Sequence, residues 1–276
     1  MLLKRIGTGA VAGWIASAGA ALAAPQPWQM DFQPAASPVM QEIESFHRMV
    51  LYIITAVSVF VLALLIWIIV RYNKRANPVP SKVSHNTTLE VAWTIIPVII
   101  LVVIAIPSFR LLYFEAEIPP PDLTIKAIGK QWFWTYEYPQ NGDFQFDSLG
   151  LSDAAAAKAG EPRLLGVDNV LVVPVNKVVR VQTTGADVIH SWALPAFGVK
   201  MDAVPGRINE TWFKALQEGV YYGECSELCG ARHAYMPIEV KVVSQSAFEQ
   251  WAVAAKKKFA ANDGPADATR VAAAGK

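Results

Sequence analysis

Residues 49–70 read MVLYIITAVSVFVLALLIWIIV, a stretch without a charged side chain. An α-helix rises 1.5 Å per residue, so this stretch is long enough to cross a hydrocarbon core of about 30 Å. A second uncharged stretch, VAWTIIPVIILVVIAIPSF at residues 91–109, contains Pro97 and Pro107, which membrane helices tolerate better than soluble helices do. We predict a transmembrane hairpin with spans at about 49–70 and 91–112.

The segments that flank the spans predict the orientation of the hairpin. Positively charged loops stay in the cytoplasm. The loop between the spans has four cations and one acid: Arg71, Lys74, Arg75, Lys82 and Glu90. Residues 1–24 have a basic start, a short apolar stretch and an A-x-A site, which is typical of a cleaved signal peptide, with a retained anchor as the alternative. Both observations predict that the part after the hairpin lies outside the cytoplasm, so residues 25–114 hold an N-terminal segment and the hairpin.

The composition excludes several classes of protein. Of 276 residues, 53% are apolar and only 17% are charged, whereas an ordinary soluble domain has about 25% charged residues. An aromatic content of 11% excludes a disordered chain, and two cysteines exclude a disulfide-rich scaffold. The net charge of +1 gives no reason to expect a nucleic-acid partner. We therefore expect a membrane protein that contacts lipid.

From about residue 115 the chain changes to short β-like segments. Ile118-Pro-Pro-Pro121 ends any continuing helix. Clusters of Gly, Pro, Asn and Asp separate the segments, and this spacing is typical of an all-β sandwich or barrel. The predicted strands are Leu123–Ile128, Gln131–Tyr138, Val170–Pro174, Val178–Thr184, Glu210–Lys214, Gly219–Tyr222 and Pro237–Val243.

The exported part has an insertion and a distinct C-terminal end. Residues 151–163 read as an inserted loop or short helix. Ser246, with Glu249 three residues later, predicts the start of a final helix. We assign residues 115–245 to an exported β domain and residues 246–276 to the final helix and a flexible tail.

Residues 225–236 read CSELCGARHAYM and concentrate metal-binding side chains in the order C-x3-C-x3-H-x2-M. Thiolate and thioether are soft ligands, and imidazole binds copper, zinc and iron. A second imidazole, His190, lies in the strand-like segment DVIHSW. The alternatives are a Cys225–Cys229 disulfide, a structural zinc site of two Cys and two His, and a thiol hydrolase. A copper site for electron transfer is favoured because it also accounts for Met236.

With these residues the chain resembles subunit II of haem–copper cytochrome c oxidases of bacterial aa3 type and their mitochondrial relatives. The resemblance rests on the signal peptide, the membrane hairpin, the β domain and the loop at residues 225–236. It implies a cupredoxin-like Greek-key fold that holds a binuclear, mixed-valence CuA centre of two copper ions. It also implies bridging by Cys225 and Cys229, terminal binding by His190 and His233, and weak binding by Met236 and the backbone carbonyl of Glu227.

The resemblance implies further roles in the exported domain. The side chain of Glu227 matches a ligand of a magnesium ion shared with subunit I, and Mg²⁺ prefers such carboxylates. Trp132 matches the surface residue that receives electrons from cytochrome c. We expect Trp132, Trp134, Tyr136 and Tyr138 to share one strand face, most of them in the core.

The charge of the exported domain suits a basic partner. Residues 115–245 contain 16 acids and 11 bases, and an acidic surface can steer a basic protein by long-range attraction. The family's docking acids correspond to Glu137, Asp168 and Asp187, and the lysine-rich face of cytochrome c would be their complement.

Together these features predict an oxidase subunit in a bacterial inner membrane, with its β domain in the periplasm. It would pass electrons to haem in subunit I, where O₂ reduction is coupled to proton pumping, with subunit III as a further partner. Glu90 matches a residue at the mouth of a proton-uptake path. The chain has no C-x-x-C-H motif, so we expect no haem on it. A quinol oxidase lacks the copper ligands, and nitrous oxide reductase is soluble with a large extra domain. A CuA subunit of nitric oxide reductase remains the alternative.

Overall fold

The computed structural model describes residues 25–26 and 28–259. The predicted signal peptide, residues 1–24, lies outside the described residues, and so does the predicted tail after Phe259. The described chain divides into two compact units, one helical and one mostly β.

Two long helices form the helical unit, which spans residues 41–117. Helix α1 is Pro38–Arg71 and helix α2 is Thr87–Ala116. Within the described residues, these are the two helices long and apolar enough to cross a membrane. Many of their large apolar side chains are exposed, Leu65 and Trp67 among them. Exposure of so much contiguous apolar surface suits a lipid environment.

Both helices extend beyond the predicted spans. Helix α1 begins at Pro38 rather than near residue 49, and helix α2 begins at Thr87 rather than at 91. Hydropathy marks only the apolar part of a helix, whereas the backbone ladder continues through polar flanks to a capping residue. For helix α2 that residue is Asn86, whose side chain accepts a hydrogen bond from the Leu89 backbone at 3.1 Å.

Within the described residues, the β unit comprises the segment that ends at Met40 and residues 118–259. Its strands are β1 (Leu123–Lys130), β2 (Phe133–Tyr138), β3 (Phe144–Ser148), β4 (Leu171–Pro174), β5 (Val178–Gly185), β6 (His190–Leu194), β7 (Val199–Ala203), β8 (Asn209–Lys214), β9 (Gly219–Cys225) and β10 (Pro237–Val243). They form two sheets in the orders β3-β2-β1-β5-β8 and β4-β10-β9-β6-β7. The pairs β1–β5 and β4–β10 are parallel and the other pairs are antiparallel. The predicted helical hairpin followed by an all-β sandwich is confirmed.

Strands β3 and β7 were not predicted, β6 was anticipated only as the strand-like segment DVIHSW, and β2 is shorter than predicted. The two strands missed altogether, β3 and β7, have only five residues each. Such short segments pair because tertiary neighbours are in place, so local pattern alone identifies them poorly. Residues 131 and 132 form the turn between β1 and β2 instead of belonging to a strand.

The core lies between the two sheets and is rich in aromatic side chains. Trp134, Tyr136 and Tyr138 are fully buried on β2. The Trp192 indole N–H on β6 donates to the Tyr136 hydroxyl at 3.2 Å and thereby joins the two sheets. The prediction of an aromatic core stripe is confirmed for these β2 residues. Trp132 does not share their strand face, because it precedes the strand and is only half-buried.

Two short helices complete the β unit. The predicted insertion contains α3, Asp153–Ala159, capped by the Ser152 side chain. The final helix, α4 (Gln245–Phe259), is capped by Ser244 and not by Ser246 as predicted, because the Ala247 backbone N–H donates to the Ser244 hydroxyl at 3.3 Å. Its aromatic side chains pack on Tyr138, Phe144 and Phe146 of strands β2 and β3.

The segment before α1 is anchored to the sandwich by backbone hydrogen bonds. The Ala36 N–H donates to the Ala196 carbonyl at 2.8 Å, and the Ala36 carbonyl accepts from the Leu216 N–H at 3.0 Å. The Ser37 hydroxyl donates to the Phe197 carbonyl at 2.6 Å. Residues 36 and 37 therefore belong structurally to the β unit.

Candidate metal centre

The metal-binding motif lies on the loop between β9 and β10. Strand β9 ends at Cys225, and a short 3₁₀ turn at His233–Tyr235 leads into β10. The Cys225 backbone N–H donates to the Met236 carbonyl at 3.0 Å, which closes the loop at its base. We call the segment between these two residues, 226–235, the metal loop.

Four donor side chains form a compact cluster. His190 Nδ1 lies 3.9 Å from Cys225 Sγ, the two sulfur atoms are 3.8 Å apart, and Cys229 Sγ lies 3.6 Å from His233 Nδ1. The donor atoms of His190, Cys225 and Cys229 all lie within 4.8 Å of one another. The cluster therefore has a central thiol pair, and each thiol has an imidazole beside it.

The distance between the sulfur atoms of Cys225 and Cys229 excludes a disulfide. Both are free thiols, and 3.8 Å is far longer than a disulfide bond of about 2.05 Å. The same two thiols and two imidazoles would also suit a tetrahedral zinc ion. Two soft thiolates with terminal imidazoles match the ligand preferences of copper, so the residues fit the binuclear copper group that the resemblance implies.

Two further groups of the predicted ligand set lie at this site. The Glu227 carbonyl oxygen is 3.4 Å from Cys225 Sγ, so it faces the thiol pair, while the Glu227 side chain is exposed. Met236 is 1% exposed within the core at the end of the metal loop. Met236 is thus placed on the buried side of the loop and the Glu227 carboxylate on its open side.

The orientation of His190 is set by neighbours on both of its sides. His190 Nε2 lies 2.8 Å from Asp187 Oδ1, which leaves Nδ1 directed toward Cys225. A carboxylate behind a ligating imidazole fixes its tautomer and its ring plane. Gly129 packs against the ring so closely that an added Cβ would lie 2.6 Å from His190 Cδ2. Only a glycine at position 129 accommodates the imidazole in this position.

Charges at the centre are strongly coupled. Burial opposes ionisation of Cys225, but hydrogen bonds with His190 and with the backbone of Glu227 and Ser191 prevail and lower the pKa of this thiol. Burial and the neighbouring Cys225 thiolate raise the pKa of Cys229. Burial also opposes charge on His190 and Asp187. Hydrogen bonds with Cys225 and Asp187 nevertheless raise the pKa of His190, and the hydrogen bond with His190 lowers the pKa of Asp187.

Two segments of this chain match models of known protein families. Residues 123–243 match the cytochrome c oxidase subunit II periplasmic domain, and residues 25–111 match its transmembrane domain. A probable cytochrome c oxidase subunit 2 of Rickettsia bellii is 54% identical over 238 residues, which cover 86% of this chain and 88% of that one. The chain belongs to the cytochrome c oxidase subunit II family. It is therefore a subunit of an oxidoreductase complex, and its β domain is of the copper-binding cupredoxin type.

Other members of the subunit II family are similar over most of their length. Cytochrome c oxidase subunit 2 of Cereibacter sphaeroides is 47% identical over 82% of this chain and 80% of that one. The protein of Triticum aestivum is 47% identical over 83% of this chain and 90% of that one. Among solved structures, the periplasmic domain of subunit II (CoxB) of Bradyrhizobium japonicum is 64% identical, covers 52% of this chain and 99% of that chain, and has a TM-score of 0.49.

The remaining predicted site residues occupy different surroundings. Trp132 is at the metal centre, because its indole N–H donates to the Cys229 carbonyl at 3.2 Å. Glu137 lies on β2, where it forms an ion pair with Lys126 at 3.0 Å. Asp168 accepts a hydrogen bond from the Leu149 N–H at 2.8 Å, and burial raises its pKa.

The other two predicted residues, Asp187 and Glu90, lie in separate units of the chain. Asp187, predicted as a docking acid, is a direct partner of His190. Glu90 lies in the first turn of α2, in the helical unit.

Sequence reasoning missed two groups that line the centre, Gly129 and Gln131. The Gln131 side-chain amide donates to the Cys229 carbonyl at 2.8 Å, over a sequence separation of 98 residues. The one local signal was that both residues shortly precede Trp132 in the segment GKQWFW.

Proposed function

We propose that this chain receives electrons from a c-type cytochrome at a binuclear copper centre and passes them to haem in subunit I of the oxidase. The observation that carries the proposal is the compact cluster of two thiols and two imidazoles, formed by His190, Cys225, Cys229 and His233. When bound, such a centre supplies reversible one-electron transfer shared by two metal ions. The chain itself forms and breaks no substrate bond.

The protein contributes a rigid and mostly dry ligand frame. Cys225 and Cys229 are buried, and His190 is fully buried. Loop closure between Cys225 and Met236 and the contact between Asp187 and His190 hold the donors before any metal binds. A preorganised site needs little rearrangement on electron transfer, and its apolar shell tunes the redox potential.

Trp132 connects this frame with the surface. Its ring is half-exposed and packs against the core, and its indole N–H bonds directly to the carbonyl of a thiolate ligand, Cys229. One hydrogen bond and a few covalent bonds therefore separate an exposed aromatic ring from the bridging sulfur. This short connection supports Trp132 as the residue at which electrons enter.

The partners follow from charge and location. The acidic β domain suits a lysine-rich cytochrome c, with Glu137, Asp168 and Asp187 as docking acids. The exposed Glu227 carboxylate suits a magnesium ion completed by subunit I. We place the helices in a bacterial inner membrane and the β domain in the periplasm. Glu90 would then face a proton-uptake path from the cytoplasm into a proton-pumping complex that also holds subunit III.

Stopped-flow oxidation of reduced cytochrome c by the copper-loaded full chain in detergent tests this proposal. We expect rapid electron transfer that slows as ionic strength rises, because opposite surface charges steer the encounter. Trp132→Phe keeps an aromatic ring but removes the N–H donor, and we expect slower transfer with unchanged copper content. Trp67→Phe, in a membrane helix, is the matched control. Transfer that is equally fast in the Trp132 variant would contradict the role of Trp132, and no transfer to the native chain would contradict the function.

A further inference from the structure

We propose that Gln131 is a positioning residue of the metal centre, which ties the metal loop and the His190 segment to the turn between β1 and β2. This inference rests on the proposed copper function, since it concerns how the chain holds that centre. Gln131 contacts the backbone of Cys229 directly and contacts Asp187, the hydrogen-bond partner of His190, without itself being a ligand.

The first contact is made by the Gln131 side chain. Its amide Nε2 donates to the Cys229 carbonyl at 2.8 Å, and the same oxygen accepts the Trp132 indole N–H at 3.2 Å. Two N–H groups from one turn therefore converge on the backbone of one thiolate ligand. A carbonyl with two donors is fixed in direction, and so is the Cα–Cβ bond that carries the Cys229 sulfur.

The second contact is made by the Gln131 backbone. Its N–H donates to Asp187 Oδ2 at 2.7 Å, while Asp187 Oδ1 lies 2.8 Å from His190 Nε2. Asp187 thus uses one oxygen for the turn and the other for the imidazole. The turn is connected through Gln131 to His190 on one side and to Cys229 on the other.

The metal loop carries a glycine where these donors approach. Gly230 follows Cys229 and has φ of +121°, a conformation that other residues rarely adopt. An added Cβ there would lie 3.1 Å from both Gln131 Nε2 and Trp132 Cζ2. The absence of a side chain at 230 leaves the space through which Gln131 and Trp132 reach the Cys229 carbonyl.

The Gln131 side chain also has an electrostatic consequence. Reduction adds one electron to the centre, and N–H dipoles that point toward the ligand backbone stabilise the more negative, reduced state. Hydrogen bonding around a metal–thiolate group is one of the means by which a protein sets its reduction potential. Removing the Nε2 donor is therefore expected to lower the reduction potential and to loosen Cys229.

The test uses the copper-loaded full chain in detergent with two readouts, the copper hyperfine pattern in electron paramagnetic resonance and the reduction potential by redox titration. Gln131→Met keeps the length of the side chain and removes its donor. Gln131→Asn keeps an amide but shortens it by one methylene. Gln145→Met is the matched control, because Gln145 is an exposed glutamine on β3 in the same sheet.

We expect both Gln131 variants to have a lower reduction potential and a changed hyperfine pattern, and Gln145→Met to match the native chain. Loss of copper from Gln131→Met with an unchanged circular dichroism spectrum also supports a positioning role. If Gln131→Met does not fold, the hyperfine pattern and the reduction potential of Gln131→Asn test the inference. Native potential and native hyperfine pattern in the variants overturn the inference. If the native chain itself has no binuclear signal, the proposed function fails instead, so the two failures are distinguishable.

Discussion

Two irregular segments pack against strands β9 and β10, and the chain holds them by opposite chemistry. The metal loop is held by neutral N–H donors from Gln131 and Trp132, which meet at a backbone carbonyl. The inserted segment that contains α3, taken with the residues that follow it to Val167, is held by two carboxylates. Glu161 accepts the Tyr222 hydroxyl at 2.6 Å, and Glu239 accepts the Val167 N–H at 3.0 Å.

The difference lies in where charge is compensated. At the metal centre the two thiols are ligand candidates, so a bound cation would balance the charge of the thiolates. Beside the inserted segment, Glu239 of β10 is 4% exposed, and burial together with the nearby Glu161 raises its pKa to about 7. We expect the structure of the metal loop to depend on bound metal and the stability contributed by the inserted segment to depend on pH. Variants of both segments test that contrast.

The largest effect is expected for loss of a thiol that we propose as a bridging ligand. Cys229→Ser removes one of the two thiols at the centre of the donor cluster. We expect loss of the binuclear copper signal and a rate of electron acceptance at least about 100-fold lower. Leu228→Ala, at an exposed position in the same loop, is the control and is expected to keep native copper content. Copper counting and stopped-flow kinetics are the measurements, and a native rate in Cys229→Ser contradicts the ligand assignment.

The next largest effect is expected for Gly230→Ala, and its comparison with Gly206→Ala distinguishes loss of packing at the metal loop from backbone strain. Gly230→Ala puts a methyl group against Gln131 and Trp132 and strains a left-handed backbone. Gly206→Ala strains a left-handed backbone at φ +76° but meets nothing within 4 Å. We expect each strain to cost about 1–2 kcal/mol, seen as a lower Tm in both variants. Only Gly230→Ala should also alter the copper spectrum, and identical spectra would show that the close approach is unimportant.

The inserted segment is expected to make stability depend on pH. The pKa of Glu239 is about 7 in the folded chain and about 4.3 when unfolded, so the folded state binds the proton more tightly. Its contribution to stability is therefore complete below about pH 4 and is lost as the pH rises to 7. The total loss is on the order of 4 kcal/mol.

Glu239→Gln keeps an oxygen for the Val167 N–H and removes the charge beside Glu161 and Lys241. We expect its Tm to fall less than that of the native chain between pH 5 and pH 8. Glu218→Gln, at an exposed acid before β9, should retain the native profile. Parallel profiles for Glu239→Gln and the native chain would mean that Glu239 is not the group responsible.

The smallest effects concern the docking acids. Glu137→Gln removes a partly exposed charge paired with Lys126, and we expect the KM for cytochrome c to change up to about fivefold with an unchanged copper spectrum. Asp187→Asn should alter both the KM and the spectrum, because Asp187 bonds to His190. Steady-state kinetics and electron paramagnetic resonance distinguish the two roles. A native spectrum in Asp187→Asn would leave docking as its only function.

The sequence predicts the hairpin, the sandwich and the donor set because each has a strong local signal. Uncharged stretches identify the helices, period-two segments identify most strands, and one dense motif contains most of the donors. Sequence patterns fail at contacts between distant segments. The separation of 98 residues between Gln131 and Cys229 has no local signature, and the strand at Phe144–Ser148 is stabilised by aromatic packing against α4. The contact of Asp187 with His190 was missed because it depends on how the chain bends before β6.

Electron paramagnetic resonance with copper counting on the copper-loaded full chain tests the central claim most directly. Two coppers per chain, with one unpaired electron that couples equally to both nuclei, is the result we predict from the donor cluster of His190, Cys225, Cys229 and His233. A spectrum from one copper, or no copper uptake with Cys225 and Cys229 disulfide-bonded after reduction and reloading, would contradict it.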